Sequence, residues 1–258
     1  MPDPALLDEL LDVALEAAGR AGTLLRDGRP ADLGVAATKS SPVDVVTEMD
    51  LASEKLILEL INTRRPEDGY LGEEGADQAG TSGVRWVVDP LDGTVNYLYG
   101  LPSWGVSVAA ELDGRAVVGV VAVPARDELF QAVIGRGAHL NGAPIRCRPA
   151  PPWGQALVGT GFNYVQSVRV RQAEVLLALM PEVRDIRRGG AAAVDLCDVA
   201  AGRLDAFYER GLHPWDRAAG ALIAAEAGAP TSGPEGLTCT APPGTHERLL
   251  ERLTALGA

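Results

Sequence analysis

The chain has 258 residues, 47% of them hydrophobic and 22% charged, with a formal net charge of −12; that length suits one large domain or two small ones with a sizeable core. No stretch approaches the roughly 18 uninterrupted apolar residues of a membrane span, and the acidic opening MPDPALLDELLDVALEAAG lacks the basic-then-apolar order of a secretory signal. The acid surplus disfavours nucleic acid and anionic membranes as partners, while Cys147, Cys197 and Cys239, odd in number and without paired spacing, argue against a disulfide framework or a zinc site and fit a reducing cytoplasm.

The N-terminus reads as an amphipathic helix ending near Gly28. DVVTEMDLASEKLILELINTRR (44–65) reads as a second helix, with apolar residues at helical spacing from Leu51 to Ile61. Valine-rich runs follow, broken by Asp-Gly, Pro and Asn-Gly turns: VRWVVDP (84–90), the stretch 105–135, and GAHLNGAPI (137–145). That is the pattern of an antiparallel meander with helices packed on it. The proline-rich RPAPPWG (148–154) divides an α+β half, residues 1–147, from an α/β half, residues 148–258, where helix and strand signals alternate. The expected class is α/β.

In WVVDPLDGTVNY (86–97) a buried strand runs straight into two aspartates. Pro90, fixed in φ and without an N–H, is expected to stop the ladder there. Asp89, Asp92 and the Leu91 carbonyl can then face one point as three hard oxygen ligands of the kind magnesium accepts. Gly93 and Thr94 bring backbone N–H groups to the start of the next helix, where a phosphate can sit. The competing reading is an ordinary Asp-Gly surface turn. Glu73 and Glu74 follow a short strand in YLGEEGAD, and Asp216 precedes the alanine-rich run of HPWDRAAGALIAAEAGA. Their plain readings are a solvated loop and a helix N-cap. Taken together, Glu73, Asp89, Asp92 and Asp216 would repel one another unless divalent cations stood between them. Cations would also let an acidic protein attract a phosphate.

These residues carry a resemblance. WVVDPLDGTVNY resembles the first signature of the inositol monophosphatase family, an apolar run, D-P-x-D-G-T, then Asn and an aromatic, and PWDRAAGALIAAEAGA resembles its second. KSSPVDVVTEMD and LGEE resemble two further blocks, in family order; the likeness weakens only after Gly228, in PTSGPEGLTCTAPPGTHERLL. The resemblance implies a layered αβαβα sugar-phosphatase architecture and a magnesium-dependent, lithium-sensitive phosphatase acting as a homodimer. It implies that Glu73, Asp89, Asp92, Asp216 and the Leu91 carbonyl hold two or three Mg2+ ions. Asp44 and Thr94 would orient the attacking water, with Glu74 beside them and Lys39 at the rim. Asp92, Gly93, Thr94 and Asp216 would meet the phosphate side of the substrate, Gly190, Ala191 and Ala192 its sugar side, and Glu209 the ring hydroxyls.

The implied reaction is direct in-line attack by a metal-activated water. An aspartyl-nucleophile mechanism needs two aspartates separated by one residue, and Asp89 and Asp92 are separated by two. Glu209, seven residues before Asp216, resembles the inositol-type pattern and points to myo-inositol monophosphate or a similar polyol phosphate. Histidinol phosphate is the alternative substrate, since an acid also pairs an ammonium. A magnesium-binding or RNA-associated regulatory protein is the alternative outside catalysis. His139, His213 and His246 are scattered and none is assigned to catalysis.

Overall fold

The computed structural model describes residues 2–39 and 41–257. α1 (Pro4–Asp27) starts at the Asp3 cap, whose carboxylate accepts from the Ala5 N–H at 3.1 Å, and ends where the Gly28 N–H returns to the Leu24 carbonyl at 2.8 Å. A short hairpin, β1 (Ala37–Thr38) and β2 (Val45–Val46), leads into α2 (Glu48–Arg64). α2 begins four residues later than the sequence pattern suggests, because Thr47 caps it.

The large sheet is built from β3 (Gly69–Gly72), β4 (Asp77–Gln78), β5 (Val84–Asp92), β6 (Gly105–Leu112), β7 (Arg115–Val123), β8 (Glu128–Val133), β9 (Ala138–Leu140) and β10 (Ala143–Ile145). α3 (Thr94–Leu98) sits between β5 and β6. The spatial order is β10-β9-β8-β7-β6-β5-β3-β4, antiparallel except for the β3–β5 pair. The expected meander is β5 to β10. Its Asp-Gly and Asn-Gly turns hold both residues at positive φ, Asp113 at 50° and Gly114 at 73°, Asn141 at 49° and Gly142 at 79°, the geometry that matches strand twist in a tight hairpin.

The second sheet comprises β11 (Leu157–Thr160), β12 (Asp185–Arg187), β13 (Ala206–Arg210), β14 (Thr231–Ser232) and β15 (Leu237–Thr240), in the order β12-β11-β13-β15-β14. With it come α4 (Gln166–Leu179), α5 (Ala192–Ala200), α6 (Pro214–Glu226) and α7 (Thr245–Ala255). β14, β15 and α7 fill the stretch after Gly228 where the sequence resemblance fades.

Three apolar clusters bind five layers. α1 and α2 cover one face of the large sheet through Leu10, Val13, Ile57 and Ile61 against Trp86, Val106 and Val120. The other face, through Val87, Ala109 and Val121, packs on α5 and α6. On β13 side chains alternate across the sheet, so Phe207 faces α5 and α6 while Tyr208 faces α4 and α7. The result is the αβαβα layering. Among the described residues no helix is long and apolar enough to cross a membrane, and all three cysteines are free thiols.

Candidate active site

The exit of β5 differs from the expectation in one respect. Pro90 does not end the ladder: Asp89 pairs with Ser107, Pro90 and Leu91 bulge outward, and pairing resumes at Asp92 and Gly105. A bulge of this kind re-aims side chains at the rim of a sheet. It holds Asp89 and Asp92 on a rigid frame, with the Asp89 Oδ1 accepting from the Leu91 N–H at 3.0 Å. Asp92 is held from across the molecule, where the N–H groups of Ala192 and Ala193 at the start of α5 donate to its two oxygens at 3.2 and 2.7 Å. An amide-rich helix start is a natural seat for a carboxylate.

The hairpin turn after β3 carries Glu73 and Glu74. The Lys39 ammonium donates to Glu73 Oε1 at 2.8 Å and to Glu74 Oε1 at 2.7 Å. Burial alone would lower the lysine pKa, and the two carboxylates outweigh it and raise it. Asp216 is the third residue of α6; the helix cap is His213, whose N–H donates to Asp216 Oδ2 at 2.6 Å. The N-cap reading of Asp216 is thereby corrected by three positions, from N-cap to N3, and the residue lines the cavity.

Thr94 opens α3. Its hydroxyl lies 3.1 Å from the Leu91 carbonyl and 2.9 Å from Asp50 Oδ1; with one proton, it donates to one of them at a time. Asp50 is buried on α2, and its other oxygen accepts from the N–H of Thr47 at 2.9 Å and from its hydroxyl at 2.5 Å. The sequence reading gave the partner role to Asp44. Asp44 lines the cavity, half-buried, but it is Asp50, six residues on, that meets Thr94.

A cavity of about 400 Å³ brings the rest together. Glu73, Asp89, Leu91, Asp92, Thr94 and Asp216 form one side of its lining, and Glu209 and Gly190 belong to it as well, with Lys39, Gly93 and Ala192. Ala191 and Glu74 are not part of the lining: Ala191 is buried, and Glu74 lies behind Lys39. Phe162, Asn163, Tyr164, Arg188 and Trp215 complete it. Of these five only Trp215 belongs to a motif, PWDRAAG, and its ring stacks on His213 with centroids 4.8 Å apart. Glu209 is seated against a bare backbone: a Cβ at Gly161 would fall 1.9 Å from its Oε2.

The electrostatics are those of carboxylates in excess. Burial, then Glu73, Asp92 and Asp216, pushes Asp89 well above the usual range; burial, then Asp216, does the same to Asp92. Asp216 rises to about 7 through burial and Glu73. Among the described residues no three acids are already gathered into a cage for an ion. The donor chemistry nevertheless fits a hard divalent cation, for it offers oxygens only and a negative charge that Lys39 balances in part.

A pH dependence follows. Burial, then Asp216, raises Glu209 to about 8 from an ordinary 4.5, and burial, then Asp198, raises Asp195 to about 7 from 3.8. The folded state therefore holds these protons where the unfolded chain has lost them. Their contribution is whole below about pH 4, shrinks as pH rises, and is gone above about pH 8. In EDTA, thermal unfolding should fall by several degrees between pH 5.5 and 8.5, each kcal/mol being worth about 2–4 °C in a chain of this size. Magnesium should raise the transition more at pH 8.5 than at 5.5. A midpoint in EDTA that climbs over this interval contradicts the assignment.

The comparison with known proteins agrees with this geometry. The model of the inositol monophosphatase family matches residues 6–253. The inositol-1-monophosphatase SuhB of Mycobacterium tuberculosis H37Rv is 46% identical over 236 residues, 85% of this chain and 81% of that protein. The Nus factor SuhB of Escherichia coli K12 is 40% identical over 221 residues, 85% and 83% of the two chains. The solved structure of Mycobacterium tuberculosis SuhB superposes with a TM-score of 0.85 at 42% identity, covering 99% of this chain and 98% of the other. Matched almost from end to end in both sequence and fold, the chain belongs to the inositol monophosphatase family, a family of phosphoric monoester hydrolases.

Proposed function

We propose that the protein is a magnesium-dependent phosphatase of polyol monophosphates, with myo-inositol monophosphate as its preferred substrate. One observation carries the reading: a single cavity is lined by the oxygen donors Glu73, Asp89, Leu91, Asp92 and Asp216, by the Thr94 hydroxyl backed by Asp50, and by the half-buried Glu209. Bound magnesium would neutralise the phosphoryl oxygens and make a water acidic enough to attack.

The chain's own residues do the rest. Asp50, accepting the Thr94 proton, leaves that hydroxyl's lone pairs facing the cavity, where they accept from the attacking water and set its line toward phosphorus. The backbone N–H groups of Gly93 and Thr94, at the head of α3, are placed for phosphate oxygens. Lys39, paired with Glu73 and Glu74 in the metal-free protein, would give up Glu73 to a bound cation and keep Glu74 at the rim. The leaving oxygen departs on the side of Asp216 and Glu209 and takes up, through solvent, the proton that the attacking water gives up.

Without metal, burial and then the Asp216 charge raise Glu209 to about 8, so this carboxyl takes up a proton readily. A neutral carboxyl both donates and accepts, which suits adjacent ring hydroxyls better than the ammonium of histidinol phosphate. The 46% identical relative named inositol-1-monophosphatase supports the same substrate. Other relatives carry the name Nus factor, but a net charge of −12 gives this chain little affinity of its own for RNA.

Phosphate release from a panel of monoesters, with and without magnesium, tests the reading, and Glu209 sharpens it. Glu209→Ala should cost about tenfold to a hundredfold in kcat/KM on inositol phosphate, the worth of about 1–3 kcal/mol for hydroxyls left unpaired in a buried site. Glu209→Gln, which keeps a donor and an acceptor, should cost less. A small ester without ring hydroxyls should notice neither. If histidinol phosphate is the better substrate and loses more in both variants, the carboxyl pairs an ammonium and the polyol assignment falls.

A further inference from the structure

The proposed cation ligands come from three pieces of chain, the turn after β3, the bulge of β5 and Asp216 on α6, and the sheet alone does not fix the spacing of the first two. β3 and β5 run parallel, and the last rung between them is the Glu73 N–H to the Val88 carbonyl at 3.2 Å. Beyond it both strands leave the ladder, one into the turn that carries Glu73 and Glu74, the other into the bulge that carries Asp89, Leu91 and Asp92. Their separation must be set from elsewhere.

One face of α2 spans the gap. Residues three and four apart on a helix project side by side, and Asp50, Ser53 and Glu54 do so here, all buried. Asp50 reaches Thr94. The Ser53 hydroxyl donates to the Pro90 carbonyl, in the middle of the bulge, at 2.8 Å. Glu54 turns the other way: its Oε1 accepts from the Glu74 N–H at 3.1 Å, and the Ala76 N–H faces the same carboxylate. The fit is tight, for a Cβ at Gly72 would come within 2.0 Å of Glu54 Oε1. A carboxylate only 8% exposed, set beside other acids, is costly to keep. The reaction described above makes no use of it.

We propose that Ser53 and Glu54 are positioning residues that clamp the Glu73 turn and the Asp89–Asp92 bulge to one helix and so fix the spacing of the cation ligands. The proposal rests on the reading of those acids as magnesium ligands. Glu54 acts through its acceptor oxygens, not through its charge.

Isothermal titration of the metal-free protein with Mg2+ tests it. Glu54→Ala should weaken magnesium binding by about tenfold to a hundredfold, the usual cost of losing a group that orients metal ligands. The magnesium concentration for half-maximal activity should rise by the same factor, with a smaller fall in kcat at saturation. Glu54→Gln, which keeps an acceptor oxygen, should remain within about fivefold of wild type, and Ser53→Ala should lose about two- to tenfold, the scale of one neutral hydrogen bond. Should Glu54→Ala fail to fold, as thermal unfolding in EDTA would reveal, Ser53→Ala and Glu54→Gln still decide. If Glu54→Gln loses as much as Glu54→Ala, the charge itself holds the metal and the proposal is overturned. Unchanged magnesium affinity in Ser53→Ala and in a folded Glu54→Ala overturns it as well, while the metal reading stands. A wild-type protein that binds no magnesium removes both.

Discussion

Asp92→Asn is expected to lower kcat/KM by at least about a hundredfold, the scale on which removing one electrostatic contact made to the transition state is felt, while leaving the metal-free fold at least nearly as stable. The two halves of the expectation come from one geometry. Asp92 lies between the bulge of β5 and the amides of Ala192 and Ala193, so its charge is shared between the cation site and a helix start. Without a cation, burial and Asp216 oppose that charge, and a neutral side chain removes the repulsion. Asparagine offers one oxygen where two amides ask for one each. The lost hydrogen bond, about 1 kcal/mol, offsets the relief in part. Thermal unfolding in EDTA should therefore move by only a few degrees either way, and magnesium should no longer raise it by the wild-type amount. Wild-type turnover at saturating magnesium would remove Asp92 from the site.

What the sequence revealed follows the range of the interactions involved. The β5 exit was legible because strand, proline, aspartates and Gly-Thr lie within twelve residues, and local turn chemistry places them. The hairpins at Asp113–Gly114 and Asn141–Gly142 were legible for the same reason. The strands of the second sheet were harder. β11, β12 and β15 have three or four residues each, too few for an alternation to register; β11 and β15 exist because the helices on either side bury them, and β12 is an exposed edge strand paired to β11. Pro90 misled, since proline stops a ladder in a flat sheet but is tolerated in a bulge. Phe162, Asn163, Tyr164 and Arg188 reach the cavity only through the packing of the second sheet against the first, and no spacing in the sequence encodes that approach.

The acid partner of Thr94 was misread for a similar reason, and it gives the sharpest test. The sequence presents two candidates six residues apart, Asp44 in SPVD and Asp50 in VVTEMD. Asp50 has an evident local duty, for Thr47-x-x-Asp50 is a capping box for α2, and a residue with one explanation is easily passed over for another. In the fold one oxygen of Asp50 does the capping and the other meets Thr94, 44 residues away. Asparagine at this position must choose. With its oxygen kept on the Thr47 N–H, its NH2 group faces Thr94, and that hydroxyl must accept where it formerly donated. Its proton then turns to the Leu91 carbonyl, 3.1 Å away, one of its lone pairs is taken by the NH2 group, and no carboxylate is left behind it to take the water's proton. Asp50→Asn should accordingly lose about a hundredfold to ten-thousandfold in kcat, the range of a misplaced general base, with the helix cap, the thermal midpoint and the magnesium affinity by titration little changed. Asp44→Asn, at the cavity lining but apart from Thr94, should lose less than about tenfold, as expected of a group with no part in the proton transfer. If Asp44→Asn is the larger loss, the water is held from the β1–β2 side and the Thr94–Asp50 contact serves only to fix α3 on α2.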